Sequence, residues 1–400
     1  MPHLRRRHGL TPLLNRLKFS PVVSIQGLRL CGKSTLAREL LPQALKGAGR
    51  SCRFETLDSA RTKDFAQKNP EAFLTEHENA HPLIIDEAQK VPDLFDEIKR
   101  AVDEDRRPGR FVLLGSTEFS SEFRVRESLT GRLSKIRIYP MNLAETLELP
   151  CLIATGFNAT KTKPRCMRKD LLRYISRGGM PSLFHVRHEA ERARLFEDWI
   201  QLTCERDVLQ AKKGKIDTDL CRRLLELSAT LEEPNAAAMA ARVRTSGKTV
   251  AAHLNVLTQI FALMELKPHP LGSGKALYFP ADCGIAAVLG ADFKRRLQTW
   301  FYVEAFSQHS YADHSAPPRF SYLRSKTGNR LDLILEDARA ITAIKLMDEE
   351  RFDRRELVLL SSFAKKAAAS GKRVSLLAYG AIDAPFEEGI INIKPWESVV

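Results

Sequence analysis

The stretch Val22-Val23-Ser24-Ile25-Gln26-Gly27-Leu28-Arg29-Leu30-Cys31-Gly32-Lys33-Ser34-Thr35-Leu36-Ala37 decides the fold. It opens on an apolar run that predicts a buried strand and closes on residues with the period of a helix. Between them, Gly27 to Thr35 satisfies the phosphate-loop pattern GxxxxGK[ST] in the strand-before, helix-after context that gives the pattern its meaning. The chemistry requires these residue types. Gly27 and Gly32 let the backbone curl so that the N–H groups of Leu28, Arg29, Leu30 and Cys31 face an anion. The following helix adds the partial positive charge of its N-terminus. Lys33 is expected to reach the β and γ phosphates of ATP, Thr35 to complete the cradle, and the Ser34 hydroxyl to ligate Mg²⁺, which prefers oxygen donors.

Moving outward, His81-Pro82-Leu83-Ile84-Ile85-Asp86-Glu87 is an apolar strand that ends in two acids. Beside a phosphate loop this pairing suits nucleotide hydrolysis, with Asp86 supporting the metal and Glu87 orienting and deprotonating the attacking water. Arg110-Phe111-Val112-Leu113-Leu114-Gly115-Ser116-Thr117 reads as a further buried strand. Strand ends gather around the ligand in a parallel sheet, so Ser116 and Thr117 are candidates to read the γ-phosphate or the water. Arg132, in Ser128-Leu129-Thr130-Gly131-Arg132, is a candidate arginine finger acting within the chain or on a neighbouring copy.

The order GLRLCGKST, LIIDEAQKVPDLFDEIKRAVDEDRRPGRFVLLGS and SLTGR resembles the prokaryotic AAA+-superfamily ATPases that carry a C-terminal domain of unknown function. Later blocks agree with that resemblance: Arg177-Gly178-Gly179-Met180-Pro181, Glu205-Arg206-Asp207-Val208, and the segment from Lys275 to Gly284. The resemblance spans nearly the whole chain and implies an ATPase module, a helical and winged-helix middle, and a nuclease-like α/β end. Leu30 departs from it, standing where glutamine is expected.

Composition bounds the rest. A chain of 400 residues with 44% hydrophobic and 28% charged residues predicts two or three globular domains. No apolar run approaches the length of a membrane span, and the arginine-rich start lacks the apolar stretch of a secretory signal. The seven cysteines are scattered and form no CxxC pair, which points to reduced thiols in a cytoplasm and away from zinc. The net charge of +14 is concentrated in residues 151–270, with 20 basic against 13 acidic side chains, and favours anionic partners such as double-stranded DNA.

The start, Arg5-Arg6-Arg7-His8 followed by leucines at helical spacing, reads as a helix packed on the first domain with a solvated basic tip, or as a nucleic-acid arm. Residues 151–177 form a connector with a basic run. Two helices, Ala236 to Val243 and Ser246 to Ile260, followed by a strand pair, have the layout of a winged helix-turn-helix. Ser246 is its expected cap, Val250, Leu254 and Leu257 its core face, and Lys248, Thr249 and His253 its outward face. Arg242 and Arg244 add charge. Toward the end, Asp332 and Lys345 match two positions of a restriction-type Mg²⁺ nuclease site. The position for the second carboxylate holds Ala343. Glu304, on an amphipathic stretch from Trp300 to Phe306, is an alternative carboxylate.

The sequence thus predicts an α/β chain in three parts. Residues 1–150 form a P-loop NTPase parallel-sheet domain, 151–270 a linker, helical region and winged helix, and 271–400 the wing and a degenerate nuclease-like α/β domain. The expected activity is Mg²⁺-dependent ATP hydrolysis that rearranges the later domains. The rival is a slow or non-hydrolysing nucleotide switch that docks a protein partner. A homo-oligomer is compatible with either.

Overall fold

The computed structural model describes residues 4–47, 49, 51–118, 129–150, 164–211, 216–312, 318–325, 328–347 and 354–400. Ser128 of the SLTGR block and residues 151–163 of the basic connector lie outside them. Two compact units emerge. The first comprises Met1–Met141, Met180–Ser182 and Gln259–Ala262, and the second Asn142–Gly179, Leu183–Thr258 and Leu263–Val400.

The first unit is built on five parallel strands, β1 (Val22–Gly27), β2 (Arg53–Thr56), β3 (Leu83–Asp86), β4 (Phe111–Gly115) and β5 (Leu133–Ile138), in the order β2-β3-β4-β1-β5. The three inner strands, β1, β3 and β4, are buried along their whole length. Parallel strands covered on both faces need continuous apolar sequence, which Val22–Ile25, Leu83–Ile85 and Phe111–Leu114 supply. Helix Asp93–Glu104 lays Leu94, Phe95, Ile98 and Val102 on the sheet, at the spacing of one helical face. Truncating Phe95 to alanine would cost about 3–5 kcal/mol in a core of this kind. Register puts the C-terminal ends of β1, β3 and β4 at one edge, with Gln26 opposite Gly115 and Ile85 opposite Leu113.

The second unit joins a helical part to a mixed sheet of β6 (Leu263–Pro268), β7 (Leu277–Pro280), β8 (Arg319–Arg324), β9 (Arg330–Glu336), β10 (Ala340–Leu346), β11 (Arg373–Gly380), β12 (Phe386–Glu388) and β13 (Ile391–Pro395), ordered β12-β13-β11-β10-β9-β8-β6-β7. Helices Thr218–Thr230, Ala236–Val243 and Gly247–Gln259 precede the β6–β7 hairpin. Lys267 and Pro268 of that hairpin pair with Ser321 and Tyr322 of β8, so the hairpin continues into the large sheet. Helix Phe293–Tyr311 is buried on every side, with Leu297, Trp300, Phe301, Tyr302, Val303 and Ala305 each at 1% exposure or less. The sequence reading of an amphipathic stretch is corrected here: the helix has no solvent-facing polar side, and its polar residues Gln298, Thr299, Glu304, Ser307 and Gln308 are buried with its apolar ones.

The glycines of the Arg177 to Pro181 block have a structural explanation. Gly178 has φ +76°, and a Cβ there would collide with the Asp282 carboxylate. Asp282 is fully buried, accepts the N–H groups of Gly179 and Gly284 at 2.6 and 2.7 Å, and caps helix Cys283–Val288. Burial pushes its carboxyl up to about 6 against those backbone donors.

Candidate nucleotide site

β1 delivers the phosphate loop at the C-terminal edge of the first sheet. Gly27 (φ +157°) lies so close to the Ile138 carbonyl that no side chain fits, and Gly32 adopts φ +96°. Leu30 holds φ +65° without being glycine and is 48% exposed, consistent with a loop tip. Leu28 and Cys31 are buried, and the Cys31 thiol donates to the Ile138 carbonyl at 3.4 Å. Arg29 is half-buried, while Ser34 and Thr35 are exposed at the start of the helix. Lys33 is buried, its ammonium donating to the carbonyls of Gly27 and Leu28 at 2.9 Å each. The lysine is therefore folded onto the loop that an anion would occupy.

Ser34 and Asp86, separated by strand β4 in the sheet, are brought together: Ser34 Oγ donates to Asp86 Oδ2 at 2.9 Å. Burial raises the Asp86 pKa, opposed first by the Ser34 hydrogen bond. Glu87 sits in the left-handed region at φ +54°. Its N–H donates to Asp86 Oδ1 at 3.1 Å, and its Oε2 accepts from Gln89 Nε2 and, at 3.5 Å, from Ser116 Oγ. Thr117 Oγ1 is buried with no hydrogen-bond partner. Lys33, Ser34, Asp86, Glu87 and Ser116 thus share one edge. Gln89 was not singled out by the sequence reading, because a glutamine two residues past a strand end carries no pattern of its own.

Arg132 is not brought to this edge. It precedes β5, whose first residue pairs with Val22 at the opposite end of β1. Its guanidinium forms a two-pronged pair with Asp103, Nε and Nη2 each donating at 2.8 Å, and Nη1 donates to the Thr130 carbonyl. That pairing holds the Asp103 carboxyl below its usual range.

In the second unit, Ser246 caps helix Gly247–Gln259 through the Thr249 N–H, and Val250, Leu254 and Leu257 are buried. Arg242, Arg244 and Lys248 are exposed. His253 is not outward: it is 7% exposed, accepts the Asp217 N–H at Nε2 and donates from Nδ1 to the Thr249 carbonyl. The ring ties two helices together.

Asp332 and Lys345 do meet across β9 and β10, but the aspartate is 2% exposed and already saturated. Arg330 Nε donates to it at 3.1 Å, the Leu346 N–H at 2.8 Å, and Lys345 Nζ lies 3.7 Å away. Ala343 is fully buried in the adjoining core. Glu304 does not supply the absent carboxylate. It accepts the Leu143 N–H and the Gln308 amide, both at 2.9 Å, and burial pushes its pKa up to about 7. Among the described residues, no group of three His, Cys, Asp or Glu side chains is placed to hold a metal ion.

The geometry defines the first unit as a P-loop NTPase domain. Comparison adds that residues 19–147 match the family model described as "AAA domain", and residues 168–290 the model described as "Domain of unknown function (DUF8612)". The chain is 26% identical over 348 residues to "Uncharacterized protein Rv2008c" of Mycobacterium tuberculosis and equally to "Uncharacterized protein Mb2031c" of Mycobacterium bovis, covering 83% of this chain and 71% of each relative. Among solved structures, a "Replication initiator DnaA bound to AMPPCP and single-stranded DNA" overlaps 63% of this chain and 86% of its own, at 13% identity and TM-score 0.32. "Cdc6p from Pyrobaculum aerophilum" overlaps 72% and 94%, at 12% identity and TM-score 0.29. Overlaps this loose add nothing to the site's own geometry. The likeness to AAA domains is thus confined to residues 19–147, within the first unit.

Proposed function

We propose that the chain is a Mg²⁺-dependent ATPase whose nucleotide cycle rearranges the second unit, a winged-helix and degenerate nuclease-like module, on double-stranded DNA in the cytoplasm. The observation that carries the reading is the Ser34–Asp86 hydrogen bond, which gathers two oxygen donors beside a complete phosphate loop. That donor set fits Mg²⁺, a hard cation bound by few protein oxygens together with phosphates and water. When bound, Mg²⁺ neutralises charge on the β and γ phosphates. Ser34 would hold it directly and Asp86 would support it. Lys33 would leave the carbonyls of Gly27 and Leu28 for the phosphates. Glu87 would take the proton of the attacking water, and Ser116 and Thr117 would orient it.

The DNA part of the reading is supported by the basic excess of residues 151–270 and by the exposed Arg242, Arg244 and Lys248. Among the described residues, Cys31, Cys166, Cys204, Cys221 and Cys283 are free thiols, in keeping with a reducing compartment. No helix among the described residues is long and apolar enough to cross a membrane.

Titration calorimetry of the full chain with ATP and Mg²⁺ tests the reading. Binding by the wild type and its loss in Lys33→Ala are expected; equal affinities would overturn it. Duplex DNA affinity should fall steeply with salt, because phosphate contacts release counterions. A flat response would remove DNA and leave a protein as the partner.

A further inference from the structure

Arg7 stands in a run of three arginines, where the sequence suggests a solvated tip, yet it is only 7% exposed while Arg6 is exposed. Its Nη1 donates to the Cys31 carbonyl at 2.7 Å and its Nη2 to the Tyr139 carbonyl at 2.8 Å. Cys31 belongs to the phosphate loop, and Tyr139 directly follows β5. The guanidinium therefore ties the loop to the end of the neighbouring strand, alongside the Cys31 thiol contact with Ile138.

We infer that Arg7 is a positioning residue for nucleoside triphosphate, acting through the phosphate loop; this rests on the nucleotide reading above. The Cys31 carbonyl and the Gly32 N–H belong to one planar trans peptide, so they point in opposite directions. Holding the oxygen on Arg7 turns the Gly32 N–H away from Arg7, and that N–H is one of the donors a phosphate loop must aim at its anion. Gly32 is matched to the arrangement, since a Cβ there would sit 2.5 Å from Arg7 Nη1. Glycine also suits the φ of +96° at this position, which other residues rarely adopt. The planar fork of arginine suits two carbonyls at once, whereas lysine offers a single point of donation.

The test uses the full chain with Mg²⁺ and reads ATP and ADP affinity by calorimetry well below the melting midpoint of each variant. Arg7→Ala should weaken both nucleotides by about tenfold or more, the scale of a lost hydrogen bond from a charged group. Arg7→Lys should recover part of the loss, and the exposed Arg6→Ala should match wild type. A purely structural arginine would lower the melting midpoint and leave the affinity of the folded protein unchanged. Folded Arg7→Ala with wild-type affinity would overturn the inference. If the alanine variant does not fold, Arg7→Lys carries the test, and full wild-type affinity in it overturns the inference equally. Wild type that binds no nucleotide would sink the loop reading itself, a distinguishable outcome.

Discussion

Replacing Asp86 by asparagine separates folding from metal binding more cleanly than any other change at the site. The carboxylate is 8% exposed and uses both oxygens, one for Ser34 Oγ and one for the Glu87 N–H. Asparagine keeps the carbonyl for the Glu87 N–H and offers its amide to the Ser34 hydroxyl, so no buried group is left unsatisfied. Burial raises the Asp86 pKa. A carboxyl whose pKa is raised on folding opposes the folded state once ionised, and the opposition grows as pH rises through its folded pKa. Removing the charge should therefore leave stability at neutral pH unchanged or increased by up to about 1 kcal/mol. Mg²⁺ support should suffer instead: loss of an outer-shell carboxylate typically costs about 10–100-fold in metal affinity. The assay is calorimetry of ATP with and without Mg²⁺, alongside thermal melting. Wild type should bind more tightly with Mg²⁺, and Asp86→Asn should lose most of that difference without losing its melting midpoint. An undiminished Mg²⁺ effect in Asp86→Asn would refute the assignment.

Gly178→Ala forces a side chain into the left-handed region and against the Asp282 carboxylate, and should destabilise the fold by about 3 kcal/mol or more, read by chemical denaturation. Glu336 is held down at about 2 by hydrogen bonds from Lys372 and Arg319. Its stabilisation is present above its ordinary value of 4.5 and lost as pH falls toward 2, so the stability gap between wild type and Glu336→Gln should shrink on acidification. A gap independent of pH would contradict that pairing. Plasmid incubated with Mg²⁺ or Mn²⁺ should stay intact, because Asp332 is committed to Arg330 and Lys345 and Ala343 offers no second carboxylate; cleavage abolished by Asp332→Ala would prove otherwise. Arg132→Ala should leave ATP affinity within about twofold, as expected of a site distant from the loop. A turnover defect that depends on protein concentration would instead mark a finger acting on a neighbouring copy.

The parallel-sheet unit was legible because its information is local. An uninterrupted apolar run, a glycine-bounded loop and a strand ending in two acids each have one physical reading, and the sheet merely assembles them. What could not be read depends on partners distant in sequence. Arg7 looks like Arg5 and Arg6 until the Cys31 and Tyr139 carbonyls are seen against it. His253 falls on the polar side of its helix by period, yet the Asp217 N–H draws it inward. Glu304 reads as a spare carboxylate in the sequence because periodicity does not reveal that helix Phe293–Tyr311 is enclosed around it. Arg132 sits in a suggestive motif, but only strand direction tells which end of the sheet it occupies.

On the proposed function, Lys33, Ser34, Asp86 and Glu87 together hydrolyse ATP. The most direct measurement is steady-state ATP turnover with Mg²⁺ by wild type and Glu87→Gln, with nucleotide binding measured on the same preparations. Turnover by wild type, its loss in Glu87→Gln and retained binding in both are predicted. Equal turnover in the two proteins, or tight binding with no turnover in either, would contradict hydrolysis by this site.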